Sequence, residues 1–139
     1  MVKKHNGLSQ GMRQTRDEFR EAIDLLRSRV ELLAGKDKLL MKMYLDNGNS
    51  VRQLAQLADV NDASISRKIN RIVKRLIDGE YIICLQNCDK FTKAEMTIAK
   101  EYFLLGFSIK KIAAKRNWSY HHARKIIKKI QQRIKDSAQ

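Results

Sequence analysis

The sequence contains no proline in 139 residues, where average usage would give about seven. Proline removes a backbone donor and clashes inside a helix, so its absence predicts a mostly helical chain. Cysteine is nearly missing too. Cys84 and Cys88 are too few for a disulfide framework, which points to a reducing, cytoplasmic compartment. No apolar run approaches the roughly 18 to 20 residues of a membrane helix. The opening MVKKHNGLSQGM has basic residues but no apolar core, so no secretory signal is expected. Acidic residues are outnumbered, 15 against 29 Lys and Arg, giving a net charge of +14. That imbalance asks for a polyanionic partner. An anionic membrane surface would serve only if a basic amphipathic helix were free to lie on it, and no membrane partner is expected. With 43% apolar residues the chain is neither collagen-like nor wholly disordered. Its length suits one domain, or two small ones, with a modest core.

The residues that do chemistry elsewhere are sparse. Cys84-x-x-x-Cys88 has no second pair to complete a zinc site. His121 and His122 have no acidic neighbour in sequence. The expectation is therefore no metal, no cofactor and no catalysis, with Cys84 in the core, Cys88 on the surface and His122 a partly buried filler.

Along the chain, residues 1–14 are polar, carry Gly7 and Gly11, and read as a flexible N-terminus. Thr15 and Glu18 fit a capping box. Phe19, Ile23, Leu26, Val30 and Leu33 then form one apolar stripe, and Gly35 supplies a stop. Residues 15–35 thus read as an amphipathic helix, packed on the next module or pairing a homodimer.

The most informative feature is an internal repeat. Shifted by 58 positions, the sequence lies on itself without a gap: Tyr44 on Tyr102, Gly48 on Gly106, Ser50 on Ser108, Ala55 on Ala113, Ile69 on Ile127, Ile72 on Ile130 and Arg75 on Arg133. Each copy predicts three helices. In the first, a helix over 37–47 is stopped by Gly48, Ser50 and Gln53 box a short helix, and Asn61 caps a long one ending at Gly79. In the second, Thr92 and Glu95 form a box, Gly106 ends that helix, and Ser108 and Ser119 cap the other two. The boundaries are 36–79 for the first unit, 80–91 for a connector and 92–139 for the second. Within the connector, 81–85 is apolar and fits a strand or a helical turn; a lone strand has no partner, which favours a packed connector.

A short helix, a tight turn and a second crossing helix make a helix-turn-helix, which sets demands at fixed offsets. A small residue is needed where the helices cross: Ala55 and Ala113. The turn needs a residue that tolerates positive φ: Asp59 and Asn117. An apolar plug follows, Val60 and Trp118, although Trp118 is also suited to stacking on a base. Inward contacts come next, Ile65 and Ile69, then Ala123 and Ile127. The expected fold is all-α: two tandem three-helix helix-turn-helix units preceded by an amphipathic N-terminal helix.

In such a unit the second helix enters the major groove, its N-terminal residues at the base edges. The outward residues are Ser66, Arg67 and Asn70, with Arg71 and Lys74 behind, and Tyr120, His121, Arg124, Lys125 and Lys128, with Lys129 behind. Arg can pair with guanine and Asn with adenine, while the more C-terminal cations hold phosphate. Ser50 and Ser108 open helices whose amide ends can meet phosphate. Tyr120 fits a backbone or thymine-methyl contact, or plain surface. The net charge is +2 over 1–35, +3 over 36–88 and +9 over 89–139, so the second unit holds most of the electrostatic affinity. In the first, Asp62 would repel phosphate; it reads cytosine or leaves that unit off DNA.

The stretches SVRQLAQLADVNDASISRKINRIVKRL and SIKKIAAKRNWSYHHARKIIKKIQQRI resemble the DNA-reading half of bacterial sigma-factor region 4, present twice. The resemblance covers about 36–78 and 91–135. It implies a bacterial protein with recognition of a −35 promoter element and contact with RNA polymerase, Arg124, Lys125 and Lys128 meeting bases and phosphates, as do Ser66, Arg67 and Arg71. No stretch resembles the helices that melt the −10 element, and two such modules in tandem depart from a sigma factor, so a tandem helix-turn-helix regulator is the safer name. The function expected is sequence-specific double-stranded DNA binding in transcription. The alternatives are a module docking on RNA polymerase or another protein, and a DNA-binding accessory of a recombinase.

Overall fold

Short polar side chains set most of the helix starts. A computed structural model describes residues 2–137, with side chains from Arg16 onward. Every described element is helical: α1 (Val2–Arg29), a 3-10 turn (Val30–Leu32), α2 (Gly35–Leu45), α3 (Val51–Ala58), α4 (Asp62–Asp78), α5 (Glu80–Gln86), a 3-10 turn (Cys88–Lys90), α6 (Lys93–Ala99) running into a π-helical turn (Lys100–Leu104), α7 (Ile109–Arg116) and α8 (Tyr120–Ser137). No strand occurs among the described residues. The apolar run 81–85 lies in α5, whose amides bond back within their own turn rather than to a strand partner.

The 58-residue repeat is reproduced bond by bond. Ser50 Oγ accepts from the Gln53 amide at 3.1 Å, and Ser108 Oγ accepts from the Lys111 amide at 3.0 Å. Asp59 (φ 56°) and Asn117 (φ 60°) are both left-handed. After each, the amide reaches back across the helix end: Val60 to the Ala55 carbonyl at 3.0 Å, Trp118 to the Ala113 carbonyl at 2.8 Å. This is the paired C-cap that closes helices ending in a left-handed residue. Asn61 Oδ1 accepts from the Ser64 amide at 2.8 Å, and Ser119 Oγ from the His122 amide at 3.1 Å. The buried positions match as well: Leu54 and Ile112, Ala55 and Ala113, Ile65 and Ala123, Ile69 and Ile127, Ile72 and Ile130, Leu76 and Ile134.

The two sets of helices share one core, running from Leu26 to Ile134. Between them α5 touches α4, α6 and α8, with Tyr81, Ile82 and Cys84 buried. Gly79 makes the tight step from α4 to α5: a Cβ there would lie 2.1 Å from the Arg75 carbonyl oxygen. Glu95 fastens the second set. Its Oε1 completes the Thr92 capping box by accepting from the Thr92 amide at 2.9 Å, and also receives Arg133 of α8 at 2.5 Å. Burial pushes the Glu95 carboxyl up, but the Thr92 amide and the Arg133 cation outweigh it and hold the group below the ordinary glutamate range. Buried Glu101 lies 2.6 Å from Lys115 Nζ and 2.7 Å from Arg116 Nη1. Both cations hold the carboxylate by charge, Lys115 at Oε2 and Arg116 at Oε1.

Several expectations need correction. The backbone is helical from Val2, so Thr15 is not a helix start. Gly7 and Gly11 cost roughly 1 kcal/mol each in a helix, too little to break it without a proline. The side chain of Thr15 lies outside the described residues. The stripe on α1 is also shorter than its spacing implies: Leu26 and Val30 are buried and Ile23 half-buried, but Phe19 is 68% exposed. The helix has passed the edge of the body by then. Gly35, at φ +58°, opens α2 after the 3-10 turn instead of directly ending α1. Val60 does not plug the core and is 46% exposed, because a valine is too short to reach where Trp118 packs. His122 is exposed and stands edge-on to Trp118, ring centroids 4.6 Å apart. Cys84 is buried and Cys88 exposed.

Candidate nucleic-acid interface

The charged face of α8 follows from its apolar one. Ala123, Ile127, Ile130 and Ile134 turn inward, which fixes the rotation of the helix. Arg124 follows Tyr120 and His121 by four and three residues and Lys128 follows by four more, so these share an outer row, and Lys125 and Lys129 form a flanking row. All six are exposed. Ser119 caps the start of the helix, where the positive end of its dipole adds to the field.

Two groups of cations in the second unit differ in their partners. Lys115, Arg116 and Arg133 are consumed by Glu101 and Glu95. Arg124, Lys125, Lys128 and Lys129 have no carboxylate within ion-pair distance among the described residues. Lys111 stands over the Phe107 ring at 4.0 Å, next to the α7 N-terminus that Ser108 caps.

A shift of 58 carries this face onto α4. Asp62 falls on Tyr120, Ala63 on His121, Ser66 on Arg124, Arg67 on Lys125, Asn70 on Lys128 and Arg71 on Lys129. The flanking row is basic in both units. The outer row carries the cations Arg124 and Lys128 in α8, where α4 has Ser66 and Asn70 with Asp62 ahead of them. Arg67, Asn70, Arg71 and Lys74 are exposed and Ser66 is half-buried. Ser50 and Ser108 are exposed, but their hydroxyl oxygens are engaged in capping, so what they offer a phosphate is the adjoining helix end.

Arg75 was not legible as a site residue, because in the repeat it matches Arg133, a structural ion-pair former. The two differ in surroundings. Arg133 has Glu95 and the Lys90 carbonyl. Arg75 lies against Gly106 in a cleft of about 520 Å³ between the units, lined also by Arg71, Lys74, Asp78, Glu80, Tyr102 and Phe107.

Other chemistry has little to work with. Burial, with Glu80 adding to it, pushes the Cys84 thiol up to about 11, so it stays protonated at neutral pH and is a packing group. Among the described residues no cluster of three His, Cys, Asp or Glu is arranged to hold a metal, and no helix is long and apolar enough to cross a membrane. No protein-family model, curated protein or solved structure matches this chain.

Proposed function

We propose that this chain binds double-stranded DNA sequence-specifically and acts in transcription in a bacterial cytoplasm, without catalysis. On this reading α2–α4 and α6–α8 are two tandem helix-turn-helix units of the kind found in sigma-factor region 4, and α4 and α8 are their recognition helices. The observation that supports it most is the face of α8: four exposed cations without acidic partners, beside an exposed tyrosine and histidine at a capped helix start. Unneutralised cations crowded on one helix repel one another, and a row of phosphates relieves that cost.

The comparison of rows adds a division of labour. The flanking row, basic in both units, suits phosphates, which are the same in any sequence. The outer row differs, with Arg124 and Lys128 against Ser66 and Asn70, and suits base edges, where arginine favours guanine and asparagine adenine. Two unlike half-sites about one helical turn apart follow.

Selection of duplexes from a random library at two salt concentrations tests the reading. A motif of one to two turns that survives the higher salt is the expected result. Binding that vanishes with salt and leaves no motif refutes it, since charge alone binds any duplex.

A second reading, with the first unit docking on RNA polymerase or another protein, is favoured by Asp62 at the front of α4. A pull-down that recovers no protein partner removes it.

A further inference from the structure

The two units differ at one place that DNA binding does not use. In the second, the notch between α7 and the π-helical turn is closed by Glu101 under Lys115 and Arg116, and Trp118 packs beside it against the core. Shifting by 58 puts Met43, Leu57, Ala58 and Val60 at those four positions. No ion pair can form there, and valine covers less than tryptophan. What remains is an open apolar cleft of about 390 Å³ between α2, α3 and α4. Leu39 is 61% exposed and Leu57 68%; both line it with Met43, and Lys36 and Lys68 stand at its edge. Clustered exposed leucines of this kind mark an interface rather than ordinary surface.

We propose that the occupant of this cleft is helix α1 of a second copy of the chain. On α1, Phe19, Ala22 and Leu25 follow at three-residue spacing, with Phe19 and Leu25 exposed. Glu18 and Glu21 run alongside them, exposed and without a cationic partner among the described residues. An apolar strip edged by carboxylates thus matches an apolar cleft edged by lysines. Lys36 has no acidic partner among the described residues, and Lys68 shares its charge with Asp37 at 3.4 Å. Pairing cleft to cleft would instead set lysines against lysines.

The strip cannot turn back into the cleft of its own chain without breaking the helix. Leu26 and Val30 are already in the core, Arg27 donates to the Leu45 carbonyl at 3.1 Å, and Arg29 to the Leu76 carbonyl at 2.6 Å. A two-fold dimer satisfies both copies at once, each α1 filling the other's cleft.

Sedimentation of the full chain across the micromolar range tests this. The wild type is expected to dimerise. Phe19→Asp and Leu57→Asp should each raise the dimer Kd by roughly a hundredfold to ten-thousandfold, the effect of unseating one large apolar side chain at each of the two symmetric contacts. Helical circular dichroism should not change, because both side chains are exposed. Mixing the two variants should restore part of the association, since the mixed dimer keeps one contact of an intact α1 with an intact cleft. A wild type that stays monomeric overturns the proposal and leaves the cleft to another protein. Dimers unaffected by Leu57→Asp overturn it in favour of α1 pairing with α1, and dimers unaffected by Phe19→Asp in favour of cleft pairing with cleft. None of these outcomes depends on DNA binding.

Discussion

The salt dependence of DNA binding should report how many units touch the duplex. Each phosphate neutralised releases a counterion, so log K falls with log salt at a slope of about −0.9 per contact. The cations assigned to phosphate are Lys125 and Lys129 on α8 and Arg67, Arg71 and Lys74 on α4, all exposed and without an acidic partner among the described residues. Engagement of α8 alone gives a slope of about −1.8, and of both helices about −4.5. Raising salt from about 50 to 200 mM then weakens binding about 12-fold in the first case and about 500-fold in the second.

Two double variants assign the contacts. Lys125→Gln with Lys129→Gln should reduce the slope by about 1.8 in either case. Arg67→Gln with Arg71→Gln should do the same only if α4 is on the DNA. Neither double removes an ion pair among the described residues, so helicity should be unchanged and losses belong to binding. Fluorescence anisotropy of a labelled duplex titrated in a potassium chloride series is the assay. A slope that the α8 double leaves unchanged would refute the assignment of the flanking row to phosphate.

Three further outcomes are expected. Arg124→Ala should cost about 1–3 kcal/mol on the selected duplex and relax specificity at one base position; equal losses on selected and random DNA would move Arg124 to the phosphate set. Glu101→Gln should lower stability by about 1–3 kcal/mol in urea unfolding, because Arg116 is left half-buried without its counter-charge. Burial raises the Glu101 carboxyl, but Arg116 and Lys115 more than offset it, so in the folded protein it titrates below the ordinary value of 4.5. Its contribution is therefore complete above that value and is lost as pH falls through the lower folded one. The variant should flatten the acid limb of stability against pH, and an unaltered limb would deny the ion pair its role. Gly79→Ala should destabilise by about 3 kcal/mol or more, since its Cβ meets backbone rather than a yielding side chain; a thermal midpoint near wild type would show that the step between α4 and α5 relaxes freely.

What was legible in the sequence spans three to six residues. The Ser50–Gln53 and Thr92–Glu95 boxes, the left-handed Asp59 and Asn117, and the stops at Gly48 and Gly106 are formed by near neighbours. Their chemistry is printed in the local string. The outward face of α8 was legible too, because burial of Ala123, Ile127, Ile130 and Ile134 fixes its rotation. What stayed hidden joins distant residues. Arg133 and Glu95 are 38 apart, and Arg29 and Leu76 are 47 apart; nothing local pairs them. Val60 shows a subtler limit. The repeat places it correctly at the position of Trp118, and its backbone bond is the same, but side-chain size decides whether a plug reaches the core. Phe19 continues a perfect stripe past the point where there is a body left to pack against.

The shared core has a consequence for binding. Were the units joined by a flexible linker, docking of the more basic second unit would hold the first at a high effective concentration, free to find its own groove. Here α5 is packed into both units, and Tyr81 and Cys84 belong to the same core as Ile69 and Ile130. Once α8 is seated, the position of α4 is fixed. It either meets the duplex at the right distance or does not meet it. The salt slope should therefore fall near one of its two values, about −1.8 or about −4.5, rather than drift between them with sequence. A slope midway between these values on a well-selected site would mean that α5 lets the units move, and that the buried seam between them opens when DNA binds.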